Sequence, residues 1–409
     1  MELTTISRIL EETAYIRTGG SPEELQCAKY IQAECAKFGC KAELESFEVP
    51  MATIKTAKLT IDGKSIPCKG YLFAKNGKVE APLYFLSQNT PYDLSQCKGK
   101  IVINNAYINY WNYQDLLNSG AVGFITFNGH INYPDREIDQ CELRKYISCG
   151  RLLPGVNINV KDAMEIVANG AATATIELEQ TEYTADSHNV ILDMPGEIPE
   201  YIVLTAHYDS TSLSQGAYDN MSGAIGLLAL AKQFATKPHR YGLRFIWCGS
   251  EERGLLGSKH YCAAHKDELA NIAMDINLDM IGCIMGSLIA RCTCENKMVN
   301  YLQYLSSEIG ISCSAVQDIY SSDSTPFADS GVPAVSFSRR SILGTASIHN
   351  SYDTKALVSP RQILDDICFI ESFLDRMVNA VRCPISKDIP DNMKEKLDEY
   401  LLRKRPKNT

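Results

Sequence analysis

Apolar and polar positions divide the chain into three textures. Residues 1–40 read as largely helical, with apolar positions at helical spacing from Glu23 through Ile31 to Phe38 and a stop at Gly39. Segment 42–49 then roughly alternates, Glu43 and Glu45 against Leu44 and Val49, which predicts a half-buried edge strand ended by Pro50. From about 55 to 185 short β patterns dominate, as at 57–61 and 100–104. Two brief helix-to-strand units follow, 113–120 into 121–127 and 160–167 through Gly170 into 174–178, set between polar, proline-containing loops around 86–99 and 128–152. This texture predicts a small β-rich domain inserted into a larger one.

Beyond 186 the pattern becomes strand, loop, helix, repeated. Apolar strands are predicted at 201–206, 243–248, 272–278 and 332–337, and a nearly all-apolar, hence buried, helix at 222–230. A long amphipathic helix closes this part, roughly 360–381. The expected fold is α/β, a mostly parallel central sheet with helices on both faces plus the β-rich insert. With 409 residues, two or three domains are expected. The division is 1–54 as the first part of the larger domain, 55–185 as the insert, 186–384 as the main domain and 385–409 as a tail.

A formal charge of −9 argues against nucleic acid or an anionic membrane as partner. The only compact basic run, Arg403-Lys404-Arg405-Pro406-Lys407, reads as a solvated terminus. Residues 1–7 carry no signal-peptide pattern, and no apolar run has bilayer-spanning length. Fifteen cysteines without any CxxC read as reduced thiols of a cytoplasmic protein, a disulfide framework being the weaker alternative.

The candidate chemistry sits where the strands end. His207 follows the first of these strands, Glu251 and Glu252 the second, and Asp279 the third, so all four gather at one sheet edge, where open α/β sheets bind their ligands. Asp209, two residues beyond His207, either orients that imidazole or forms a turn. Asp219, followed by Asn220, opens the buried helix, as a bridging carboxylate or as an N-cap, and Gly216 and Gly223 let its loop pack tightly. His349 lies in Ile348-His349-Asn350-Ser351-Tyr352-Asp353-Thr354. Imidazoles and carboxylates in this number suit a paired zinc site. His130, His188, His239, His260 and His265 lack such a context and read as structural or surface residues.

The order His207-Tyr208-Asp209, Gly216-Ala217-Tyr218-Asp219-Asn220, Ser250-Glu251-Glu252-Arg253-Gly254, Asn277-Leu278-Asp279-Met280 and His349-Asn350-Ser351-Tyr352-Asp353 resembles the co-catalytic zinc peptidases that include bacterial leucyl aminopeptidases and glutamate carboxypeptidase. The insert resembles a protease-associated domain through 93–102, 119–125 and 153–158. The resemblance implies two zinc ions and a peptide substrate. His207 and Asp279 would bind one ion, Glu252 and His349 the other, with Asp219 bridging them. Glu251 would be the general base and Asp209 the residue that orients His207. It also implies a cis peptide bond after Asp219. One departure stands out: some relatives carry a tyrosine before the last histidine, and here that position is Ile348. Tyr352, Tyr218, another donor or the zinc itself is left to serve the oxyanion.

An aminopeptidase is the first expectation. A carboxypeptidase or dipeptidase would need a carboxylate clamp, for which Arg339 and Arg340 are candidates, although a solvated arginine pair is as good a reading. Ser321, Ser322, Asp323, Ser324 and Phe327 are candidates for a pocket wall, with Asp323 equally suited to cap a helix. An inactive binding protein on this fold would have lost a ligand or the base, and none is lost. A glutaminyl-cyclase-like acyltransferase with a single zinc is disfavoured by the two retained histidines. The insert is expected either to cover the cleft and limit substrate size or to mediate homodimer formation.

Overall fold

Along the strand Tyr201–His207, Ile202, Leu204 and Ala206 join one apolar core while Val203 joins another, so both faces of this strand are covered. Its sheet is therefore sandwiched between helices. In the computed structural model, which describes residues 1–105 and 107–406, the chain falls into two compact units, Met1–Val49 with Ala185–Thr409, and Pro50–Thr184. These boundaries lie five residues and one residue before the starts expected at 55 and 186.

In the first unit four strands run parallel, in the order Ala334–Ser341, Ile272–Leu278, Tyr201–His207 and Gly242–Cys248. The flanks are antiparallel. Gly286–Thr293 pairs with Ala334–Ser341 on one side, and residues 190–194 of Thr173–Met194 pair with Gly242–Cys248 on the other. The larger core receives the helices Leu3–Glu12, Pro22–Ala36, Ser222–Phe234 and Pro360–Val378. The smaller one holds Tyr261, Cys262 and Phe327 against the opposite face.

Register fixes the site. His207 is paired with Cys248, and Asn277 with Thr205, which places Asp279 level with His207 on the neighbouring strand. Parallel strands lie about 4.8 Å apart, so side chains just past these ends necessarily converge.

Several local expectations change. Pro50 does not end the first strand, which runs Glu43–Ile61; a proline forfeits only the bond its missing N–H would donate, which is tolerable where no ladder bond is required. Arg339 and Arg340 do not follow a strand but belong to Ala334–Ser341, opposite Leu288 and Ser287. The tail carries a helix, Asp391–Tyr400, whose Met393 and Leu397 are buried beside Ala328 and Ala334. Arg403 is not merely solvated, since it pairs with Asp329 at 2.6 Å, and Lys407 lies outside the described residues.

The second unit has its own parallel core, Gly77–Leu86, Ile101–Asn104, Gly123–Asn128 and Gly155–Asn159, with the helices Tyr110–Ser119 and Val160–Ala168. Among the described residues no helix is long and apolar enough to cross a membrane.

The start of the helix Ser222–Phe234 lies directly against a strand end: a Cβ on Gly223 would overlap the Leu278 carbonyl oxygen and the Asn220 side chain. Because the obstacle is backbone, Gly223→Ala is expected to cost about 1–3 kcal/mol of stability, read as a lowered midpoint in urea unfolding. An unchanged midpoint would contradict this packing.

Candidate metal centre

Five segments deliver the candidate side chains. His207 closes its strand and Asp279 follows the next. Glu251 and Glu252 sit in the turn beyond Gly242–Cys248, Asp219 in the irregular turn Ala217–Met221, and His349 in the loop after Ala334–Ser341. Asp219 lies between the two imidazoles. Its Oδ1 is 3.1 Å from His207 Nε2, and its Oδ2 is 3.1 Å from His349 Nε2. His207 Nε2 also lies 3.7 Å from Asp279 and 3.9 Å from Glu251, and His349 Nε2 lies 3.1 Å from Glu252. Two groups able to hold a cation result, His207–Asp219–Asp279 and Asp219–Glu252–His349, sharing Asp219.

The donor set fits a metal of the zinc type, imidazole nitrogen with carboxylate oxygen. An orphaned atom supports the fit: Asp279 Oδ1 is buried and accepts no hydrogen bond, which is costly unless a cation satisfies it.

Protonation follows from this crowding. Burial opposes charge on His207, but Glu251, Asp209, Asp219 and Asp279 together hold its pKa well above the ordinary value. Burial likewise opposes charge on His349, and Glu252 and Asp219 still raise it to about 12. Burial pushes the Glu251 carboxyl well above the carboxylate range, against the pull of His207. It raises Glu252 to about 7, with Asp219 adding to the effect. In the metal-free protein, protons on the imidazoles thus balance the carboxylates.

Surrounding bonds fix the turn that carries Asp219. Asp353 accepts from the Tyr218 and Asp219 N–H groups at 2.8 and 3.2 Å and from Ser214 Oγ at 3.1 Å. Asn220 donates to the Leu278 carbonyl and accepts from the Gly223 and Met280 N–H groups. Gly216 has a φ of +57°, and a Cβ there would come within 2.7 Å of the Asp219 carbonyl oxygen. The Asp219–Asn220 peptide is cis.

Asp209, expected to orient His207, is hydrogen-bonded to a different segment. Its Oδ1 lies 3.3 Å from His207 Nδ1, outside hydrogen-bond geometry. The same carboxylate accepts from the N–H groups of Glu251 and Glu252, at 3.0 and 3.2 Å. It is the anchor of the loop that carries both glutamates.

Other candidates are placed elsewhere. Arg339 is taken up by Asp366, to which Nε and Nη2 donate, and by the Gly286 carbonyl at 2.6 Å, while Arg340 is exposed. Asp323 starts the helix Ser324–Asp329 without capping it and instead accepts from Ser258 at 2.6 Å. Ser322 accepts from Asn277, and Phe327 is buried in the smaller core beside Tyr261. Tyr218 donates to the Arg339 carbonyl at 2.6 Å. Ile348 packs against the larger core. His130, His188, His239, His260 and His265 belong to neither cation-holding group. Tyr320, which no motif singled out, has its phenol raised well above the usual value, chiefly by burial and then by Asp279 and Asp219. The Arg291 guanidinium covers its ring at 4.7 Å.

Residues 189–365 match the model described as Peptidase family M28. Over 350 residues the chain is 28% identical to Aminopeptidase YwaD of Bacillus subtilis (strain 168), covering 82% of this chain and 74% of that protein. It is 34% identical over 124 residues to Leucine aminopeptidase 2 of Trichophyton equinum, 30% of this chain but only 25% of that relative's length. Among solved structures, BSAP, a zinc aminopeptidase from Bacillus subtilis, has the same fold. It superposes with a TM-score of 0.75 at 24% identity over 95% of this chain and 98% of that one.

Metal binding requires neutral imidazoles. Because neighbouring carboxylates hold protons on both imidazoles and the Glu252 carboxyl is itself raised to about 7, zinc binding should release protons from the centre. The apparent affinity should fall as pH is lowered. Calorimetric titration in buffers of different ionisation enthalpy measures the release, and none at pH 7 would contradict the electrostatics of the centre.

Proposed function

Residues 189–365 match the Peptidase family M28 model, and on that premise we infer that the protein is a zinc-dependent exopeptidase acting as an aminopeptidase. The observation that carries this reading is the division of Asp219 between two imidazoles, each with its own further carboxylate. His207 and Asp279 would hold one zinc ion and His349 and Glu252 the other, with Asp219 between them. A zinc pair in that place supplies Lewis acidity to the scissile carbonyl and to an attacking water.

The chain's own residues do the rest. Glu251, buried beside the edge of His207 that faces Asp219 and Asp279, is the group to accept the water proton. It then delivers that proton to the departing amine. Asp209 keeps Glu251 and Glu252 in place through their backbone N–H groups. Asp353 does the same for Asp219.

The choice of peptide end follows from charge. A free amino terminus is a cation and is drawn to a cluster of carboxylates, whereas a substrate carboxylate needs a cationic clamp. Arg339 is committed to Asp366, which removes the better of the two clamp candidates. The aminopeptidases YwaD and Leucine aminopeptidase 2 among the relatives support the same end. The unit Pro50–Thr184 is proposed as a protease-associated domain, and a reducing, cytoplasmic setting is supported by fifteen free cysteines, most of them buried.

Glu251→Gln keeps the side chain's shape and should leave metal content intact while lowering turnover by roughly two to four orders of magnitude. Glu252→Gln should instead weaken one of two zinc-binding events. Metal analysis beside steady-state kinetics separates the two, and exchanged phenotypes would reverse the assignment.

Acetylating the substrate amine should abolish cleavage, while amidating the far carboxyl should be tolerated. A reaction stopped by amidation, together with an essential Arg340, would make the enzyme a carboxypeptidase or dipeptidase.

A further inference from the structure

Two ionisable side chains are fully buried, Arg17 in the segment joining the first two helices and Glu24 in the first turn of the second, each with 0% exposure. Burying a charge costs several kcal/mol unless oriented partners compensate it, and both groups are densely compensated. The Arg17 guanidinium donates to the carbonyls of Thr13 at 3.2 Å, Tyr15 at 3.1 Å, Gln215 at 2.5 Å and Gly216 at 2.7 Å, and also to that of Tyr208. Its backbone adds a reciprocal pair with Ser210, donating to Oγ at 3.1 Å and accepting from N at 3.2 Å. Arg17 therefore grips residues 208–216 at both ends. That stretch is the link between His207 and Asp219.

Glu24 grips the other loop. Its Oε1 accepts from Ser250 N at 2.7 Å, Ser250 Oγ at 3.1 Å and Ser187 Oγ at 2.9 Å, and its Oε2 accepts from Gly20 N at 2.7 Å. With Asp209 holding the next two N–H groups, three consecutive amides, at 250, 251 and 252, are captured by carboxylates from distant segments. Ser250 has a left-handed φ of +54°, and a side chain at Gly19 would collide with Ser250 Oγ. The fit is close.

We propose that Arg17 and Glu24 are positioning residues that set the spacing of the two site-bearing loops before metal binds. Neither is among the candidate metal ligands; Arg17 acts through backbone carbonyls, and Glu24 through backbone N–H groups and two serine hydroxyls. Arginine suits this task because its five donors form a rigid planar fork, whereas lysine offers three on a flexible stem. The consequence for zinc rests on the two-metal reading above, but the preorganisation does not.

The test uses full-length Arg17→Met, Arg17→Lys and Glu24→Gln proteins, first stripped of metal. Hydrogen exchange in the metal-free state is expected to rise about tenfold or more, at 208–216 in the arginine variants and at 250–252 in the glutamate variant. Exchange in the strand Ile272–Leu278 should stay unchanged. Zinc affinity should then fall about 10- to 100-fold, the scale for residues that orient ligands, and kcat should fall with KM little altered. Arg17→Lys should lie between wild type and Arg17→Met. Uniformly faster exchange across the whole unit would indicate mere destabilisation and overturn the proposal. So would unaltered loops with undiminished zinc affinity. Should Arg17→Met not fold, Ser210→Ala and Glu24→Gln decide the matter in the same assays. If wild type saturates with a single zinc ion, the two-metal reading fails, while the metal-free exchange comparison still tests the positioning role.

Discussion

The first unit is organised around one carboxylate. Asp219 presents one oxygen to each of two imidazoles, His207 and His349, that lie far apart in the sequence. That placement explains the local backbone. The turn needs a left-handed glycine at 216, the Asn220 side chain tied to Leu278 and Met280, and Asp353 on the amides of Tyr218 and Asp219. Asp353 and His349 belong to the same loop, so a single segment both supplies an imidazole and fixes the carboxylate that it meets.

Gathering this many acids in a buried place is unfavourable without positive charge. The balance is met locally, by imidazoles whose neighbours hold protons on them, and by backbone amides aimed at Asp209, Asp353 and Glu24. Amides are fixed dipoles that neither titrate nor leave. They let the carboxylates converge, and Asp279 Oδ1 stays without a hydrogen bond.

Much of this was legible in the chain. His207, Glu251, Glu252 and Asp279 follow apolar runs, and parallel register makes such positions converge without further information. His349 and Asp219 were recognisable from their motifs. Arg17 and Glu24 were not, because a buried arginine and a helix-start glutamate look ordinary until partners some 190 to 230 residues away are known. The pairing of Arg339 with Asp366 and the antiparallel strand Gly286–Thr293 were hidden for the same reason: neither leaves a local periodicity. The run through Pro50 was missed because a proline stop is only a local rule.

The two histidines differ in their access to water. The His207 side chain is 1% exposed and held within the sheet edge, whereas that of His349 is 49% exposed on a loop with a left-handed φ of +60°. On the two-metal reading this makes the centre lopsided in time as well as in space. An ion held by His349 would have one solvent-facing ligand, whereas one held by His207 would be enclosed by buried side chains. Loading would then have an order, the sheltered seat acting as a resident and the outer one as a tenant whose occupancy tracks the metal around it.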